Sequence, residues 1–169
     1  MKKAFIVIDM QNDFVYGSLA NADAQTIVVP IANAVKGFDG SVFATRDTHT
    51  KDYLLSSEGK NLPVEHCIKN TQGWEIVPEI QTALNEQKAT ILDKPTFGYL
   101  DWGCLKGFDE ATLVGTCTDI CVVSNALILK ALYPDLRVKV IPSLCAGTTK
   151  ENHLAAIAVM QCCQVEIEK

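Results

Sequence analysis

The feature that most constrains this chain is an alternation. Short unbroken apolar runs are separated by longer stretches in which apolar residues recur with helical spacing. The run Phe-Ile-Val-Ile at residues 5–8 reads as a buried strand, and similar runs predict strands at 41–45, 89–92, 111–114, 137–141 and 164–167. Between them, Ile27, Ile31, Ala34 and Val35 share one helical face ahead of Gly37, and Ile76, Ile80 and Leu84 mark a second helix that runs to residue 87. Further helices are predicted over 119–132 and 150–160. Strands that alternate with helices give an α/β fold, a parallel sheet covered on both faces. No repeat, low-complexity tract or Pro/Gly/Ser linker interrupts the pattern, so the expectation is a single domain over residues 1–169.

Composition narrows the function. The chain is 48% hydrophobic and 21% charged, which suits a folded protein, and its formal net charge is −5. With no basic run, general affinity for nucleic acid or an anionic membrane is not expected. The N-terminal apolar run is too short for a signal peptide or a membrane span. Seven cysteines are an odd number without a secretion signal, so reduced thiols in a cytoplasmic enzyme are expected.

In parallel α/β sheets, ligands sit beyond the carboxyl ends of the strands. Reactive residues stand at four of those ends: Asp9 after the first strand, Asp47 and His49 after the second, Lys94 after the third, and Cys121 after the fourth. Cys121 lies in a turn from strand to helix, where free amides and the helix dipole favour a thiolate and can hold an oxyanion, so a lowered thiol pKa is expected. A buried structural cysteine fits the same position. Asp9, directly after an apolar run, is costly to bury without a partner, and a solvated loop or cap role is equally compatible. Lys94 precedes Pro95 and so ends its strand. If the acid and the amine meet, each offsets the other's desolvation, and the carboxylate can take a thiol proton.

Together, the segment Asp9-Met-Gln-Asn-Asp-Phe14, the strand-end Lys94 and Gly115-x-x-Thr118-Asp119-x-Cys121-Val122 resemble the isochorismatase-like cysteine hydrolases, the superfamily of the nicotinamidases. The three motifs occur in the family's order across nearly the whole chain. The resemblance implies an Asp9-Lys94-Cys121 triad on a three-layer α/β/α fold, with a six-stranded parallel sheet of order 3-2-1-4-5-6. It also implies a cis peptide at Thr116-Cys117, aiming the amides of Cys117 and Cys121 at the oxyanion.

Asp47-x-His49 and the later His66 make a plausible three-ligand set for a divalent metal with positions left open. A simple ion pair between Arg46 and Asp47 would explain part of the same pattern. The resemblance favours the metal, since nicotinamidases are similar here. It implies Zn2+, with Fe2+ and Mn2+ as the other candidates, holding a pyridine nitrogen so that the carboxamide faces Cys121.

Two departures stand out. The tryptophan usual three residues before the second metal histidine is Pro63, and the stretch from Lys94 to Cys121 is short. Phe14, Phe97, Tyr99 or Trp102 are expected to supply the aromatic wall. His153 is expected to cap the last helix or face solvent, and Cys104, Cys145, Cys162 and Cys163 to be core or surface filler. The implied activity is hydrolysis of a small amide through a thioester, in a homo-oligomer (dimer or tetramer). The alternatives are a metal-free relative acting on another amide or ureido compound, or a non-catalytic member of the superfamily.

Overall fold

The computed structural model describes residues 1–168. Its strands are β1 (Lys3–Ile8), β2 (Ser41–Asp47), β3 (Thr90–Lys94), β4 (Glu110–Thr116), β5 (Arg137–Ala146) and β6 (Glu166–Ile167). They form one parallel sheet in the order β3-β2-β1-β4-β5-β6, as expected. The helices are α1 (Asn12–Val15), α2 (Ala22–Gly37), α3 (Ser57–Asn61), α4 (Pro78–Glu86), α5 (Val123–Leu132) and α6 (Lys150–Cys162). Among the described residues no helix is long and apolar enough to cross a membrane.

The sheet divides the interior into two layers by the two-residue period of a strand. Phe5 and Val7 of β1 point to a cluster with Ile27, Ile31 and Val35 of α2 and Ile80 and Leu84 of α4. Ala4, Ile6 and Ile8 point the other way, to Ala126 and Leu129 of α5 and Met160 of α6. Burial on both faces explains why β1 reads as an unbroken apolar run.

Several boundaries differ from the sequence expectation, for local reasons. Helix α2 begins at Ala22, ahead of its apolar stripe, because the Asn21 side chain accepts from the amides of Asp23 and Ala24. Strands β2, β3 and β4 continue past their apolar cores to Asp47, Lys94 and Thr116. The turn that carries Cys121 is π-helical over Thr118–Val122 before α5 begins. Periodicity also passes over the short elements α1 and α3, which lack a full apolar face.

Gly115 sets the approach of β4 to β1. Its φ is +121°, and a Cβ there would collide with the Ile8 carbonyl oxygen, so only glycine fits. Ile8 pairs with Gly115 on one side and with Thr45 on the other. The carboxyl ends of β1, β2 and β4 are thereby drawn together.

Candidate active site

Strand register builds the centre of the site. In β2 and β3, Asp47 and Lys94 are direct partners. Asp9 follows β1 immediately, with φ +48°, a left-handed conformation that aspartate tolerates better than most residues. Its amide reaches the carbonyl and hydroxyl oxygens of Thr45, at 3.3 Å each. Its Oδ1 accepts from the Thr45 hydroxyl at 2.7 Å. Lys94 Nζ then lies 2.7 Å from Asp9 Oδ2 and 3.6 Å from Cys121 Sγ, and donates to the Thr96 carbonyl at 3.1 Å. Asp9 and Lys94 are fully buried and Cys121 is 5% exposed. The three residues expected to meet are therefore in one place. The Thr116-Cys117 peptide is cis, as the resemblance implied.

Burial governs the protonation states here. It raises the Asp9 carboxyl, and the neighbouring Lys94 charge opposes that rise without cancelling it. Burial works against the Lys94 ammonium, yet the Asp9 charge, followed by Cys121 and Asp47, outweighs it and holds the amine above its ordinary range. Burial and the Asp9 charge push the Cys121 thiol well up, against Lys94. The expected lowering of this thiol is thus corrected. In a buried turn beside a carboxylate, desolvation and like charge outweigh the amide dipoles. A proton shared by Asp9 and Cys121 can pass between them beside a fixed cation without changing the net charge.

A second cluster adjoins the first. One donor atom from each of Asp47, His49, Glu58 and His66 falls within 4.8 Å of all the others. His49 Nε2 is 2.9 Å from Asp47 Oδ2, and His66 Nε2 is 3.5 Å from it. Both imidazoles lie 3.6 Å from Glu58 Oε1. His66 Nδ1 is 2.8 Å from the Val64 carbonyl, which places a hydrogen there and turns Nε2 towards the cluster. Two imidazole nitrogens and two carboxylates suit a divalent metal. Hydrogen bonds from His49 and His66, with Lys94 nearby, overcome burial and hold the Asp47 carboxyl below its ordinary range. The alternative of an Arg46–Asp47 pair is not what forms, because Arg46 bonds Asp93 at 2.7 Å and stacks over Trp74.

Above these groups opens a cavity of about 520 Å³. Cys121 and Cys117 form part of its floor, with Asp47, His66 and Glu58 at one side and Phe14, Leu62, Phe97 and Ile120 as walls. Phe14 and Phe97 are where a substrate wall was expected. Tyr99 and Trp102 are not, and that expectation is corrected. Trp102 is wholly buried in the layer under α5, and Tyr99 packs edge-on against it at 5.1 Å. His153 does not cap α6, a role taken by Thr149; its Nδ1 lies 2.8 Å from the Thr118 hydroxyl in the Cys121 turn.

Sequence reasoning missed four residues. Glu58 has no motif; its signal was faint, a glutamate in the first turn of a short helix capped by Ser56. Tyr53 packs against both imidazoles, at 4.7 and 4.9 Å between ring centroids. Gln11, fully buried, bonds the Asp47 amide and carbonyl at 2.7 and 2.8 Å and so fixes the end of β2 to that of β1. Thr45 holds Asp9, as described. Glutamine and threonine advertise no chemistry alone; only their burial reveals the role.

Residues 3–168 match the isochorismatase domain family. The nicotinamidase/pyrazinamidase of Mycobacterium tuberculosis is 29% identical over 189 residues, covering 98% of this chain and 97% of that protein. A crystal structure of a nicotinamidase/pyrazinamidase from Bacillus subtilis superposes with a TM-score of 0.90 at 24% identity, covering 100% of both chains. A pyrazinamidase of Pyrococcus horikoshii, solved in complex with zinc, gives 0.82 at 25% identity, covering 100% of this chain and 99% of that one.

Proposed function

Because this chain belongs to the isochorismatase family, we propose that it is a cysteine amidohydrolase of nicotinamidase type, converting a small uncharged carboxamide to the acid and ammonia. One observation carries the reading: the Lys94 ammonium lies 2.7 Å from the Asp9 carboxylate and 3.6 Å from the Cys121 sulfur, at the base of a cavity. Asp9 takes the Cys121 proton and the thiolate adds to the amide carbon. The carbonyl oxygen, now an anion, is received by the amides of Cys117 and Cys121. Among the described residues the Cys117 amide donates to no other backbone or side-chain acceptor. As the intermediate collapses, the C–N bond breaks and the nitrogen takes its proton from Asp9, releasing ammonia. Water then gives a proton to Asp9 and attacks the thioester, restoring the Cys121 thiol and freeing the acid.

Asp47, His49, Glu58 and His66 would hold a divalent metal, with Zn2+ the ion best suited to two imidazoles and two carboxylates. When bound, it supplies a Lewis-acid anchor for a ring nitrogen. The protein residues do the rest. His66 and Phe14 stand beside the cavity with ring centroids 5.6 Å apart, and Phe97 forms another wall. Apart from Lys94, which is paired with Asp9 beneath the floor, the cavity has no lysine or arginine in its lining among the described residues, so without a metal a ureido acid would find no free cation for its carboxylate.

The test is ammonia release from nicotinamide against a panel of small amides and a ureido acid, with and without chelator. Nicotinamide should be preferred, and Cys121→Ala should release no ammonia while melting as the wild type does. Undiminished turnover by Cys121→Ala would refute the mechanism.

A further inference from the structure

Residues 95–100 carry Phe97 to the cavity wall, yet among the described residues this segment forms no backbone-to-backbone hydrogen bond. A fully buried side chain replaces that ladder. Asn125 lies on α5, one turn beyond Cys121. Its Nδ2 donates to the Cys121 carbonyl at 2.8 Å and to the Phe97 carbonyl at 3.2 Å. Its Oδ1 accepts from the Tyr99 amide at 2.8 Å. Two carbonyls need donors and one N–H needs an acceptor, so only one orientation of the amide satisfies all three. Gly98 seats the segment on α5 so closely that a Cβ there would collide with Ile128 Cδ1. Thr96, the residue before Phe97, offers its carbonyl to Lys94 Nζ.

We propose that Asn125 is a positioning residue. It fixes the Phe97 wall at a set distance from the Cys121 turn, and so selects ring-bearing amides over short aliphatic ones. This rests on the amidase reading given above. A buried side-chain amide that meets all its partners specifies one geometry, whereas an apolar residue of the same volume would leave two carbonyls and an N–H unpaired. Asn125 touches no reacting atom; it acts through Phe97.

The experiment compares Asn125→Leu, Asn125→Asp, Phe97→Ala and the Asn125→Leu/Phe97→Ala pair, using the full chain loaded with Zn2+. Amide hydrogen exchange at Tyr99 should accelerate at least about tenfold in Asn125→Leu, since its N–H loses its acceptor. For nicotinamide, KM should rise about tenfold while kcat stays within about threefold, and KM for acetamide should not move. Phe97→Ala alone should reproduce the KM change, and adding Asn125→Leu to it should contribute little more, because coupled residues are not additive. Should Asn125→Leu fail to fold, Asn125→Asp, which keeps the acceptor for Tyr99 and loses both donors, carries the kinetic comparison. Unchanged exchange overturns the proposal, and so does a loss confined to kcat or an additive double variant. Wild-type protein inert towards every amide would overturn the amidase reading instead, and the exchange comparison alone would then decide the role of Asn125.

Discussion

The Lys94 ammonium and the Asp9 carboxylate lie 2.7 Å apart with neither side chain exposed to solvent, so each is the condition for the other's charge. Breaking such a pair from one side leaves an unmatched charge in the interior, at a cost of about 3–5 kcal/mol. Lys94→Met and Asp9→Asn should each lower the melting temperature strongly and end ammonia release. The double variant should regain much of the stability and none of the activity. Thermal melts of the three proteins check this, and additive destabilisation in the double variant would contradict it.

Glu58 is the member of the candidate metal cluster that no motif marks. Its carboxyl is raised by burial and by the nearby Asp47 charge, with the imidazoles and Lys94 opposing. Glu58→Gln should weaken Zn2+ binding by more than about tenfold while leaving the fold unchanged, since the residue is half-buried on a short surface helix. Titration with the metal, read by calorimetry, measures the effect. An unaltered affinity would leave Asp47, His49 and His66 as the only ligands.

His66 would give the proposed metal site a pH dependence. Burial lowers its basicity, but its bond to Asp47, the Val64 carbonyl and the Glu58 charge together raise it above the ordinary imidazole value. In metal-free protein, a raised folded pKa means that the bound proton stabilises the fold fully below the unfolded value of about 6.5, and that this contribution is lost as pH rises through the folded value. Metal requires the unprotonated ring, so the signs oppose. Zn2+ affinity should climb with pH through that same interval, with proton release on binding. Melts of stripped protein should show the reverse slope, and equal slopes with and without metal would count against the site.

Thiol chemistry separates the seven cysteines. Burial pushes the Cys145 thiol up to about 12, and the Cys67 thiol is raised further by burial and the charges of Asp47, Asp9 and Asp13. Cys162 and Cys163 are exposed. Under mild alkylation near neutral pH, Cys162 and Cys163 should be modified first, while Cys67 and Cys145 should react only on unfolding. Peptide mass spectrometry gives the order, and early labelling of Cys145 would show that β5 opens.

Much of this site was legible because the chemistry sits where strands end. Asp9, Lys94 and Cys121 each follow an apolar run that hydropathy detects, and in a parallel sheet of order β3-β2-β1-β4 those runs all end at the same edge. The strands themselves were drawn too short for the same reason. Asp47, Lys94 and Thr116 are polar, so periodicity stops before them although the backbone stays extended. Tyr99 and Trp102 were assigned to the cavity from their nearness to Lys94 in sequence. The bend over residues 95–98 sends them into the layer beneath α5 instead, and single-residue spacing carries no record of that bend. Thr45, Gln11 and Asn125 matter only through buried hydrogen bonds, which a linear pattern does not encode.

Asp47 faces two ways: Oδ2 towards the imidazoles, and Oδ1 towards Lys94 at 3.5 Å. One acid is thus common property of the two centres, and they are not interchangeable parts that a lineage could gain or shed one at a time. A descendant that abandoned the metal would still feel the loss of this carboxylate at its lysine, which would be left with Asp9 alone.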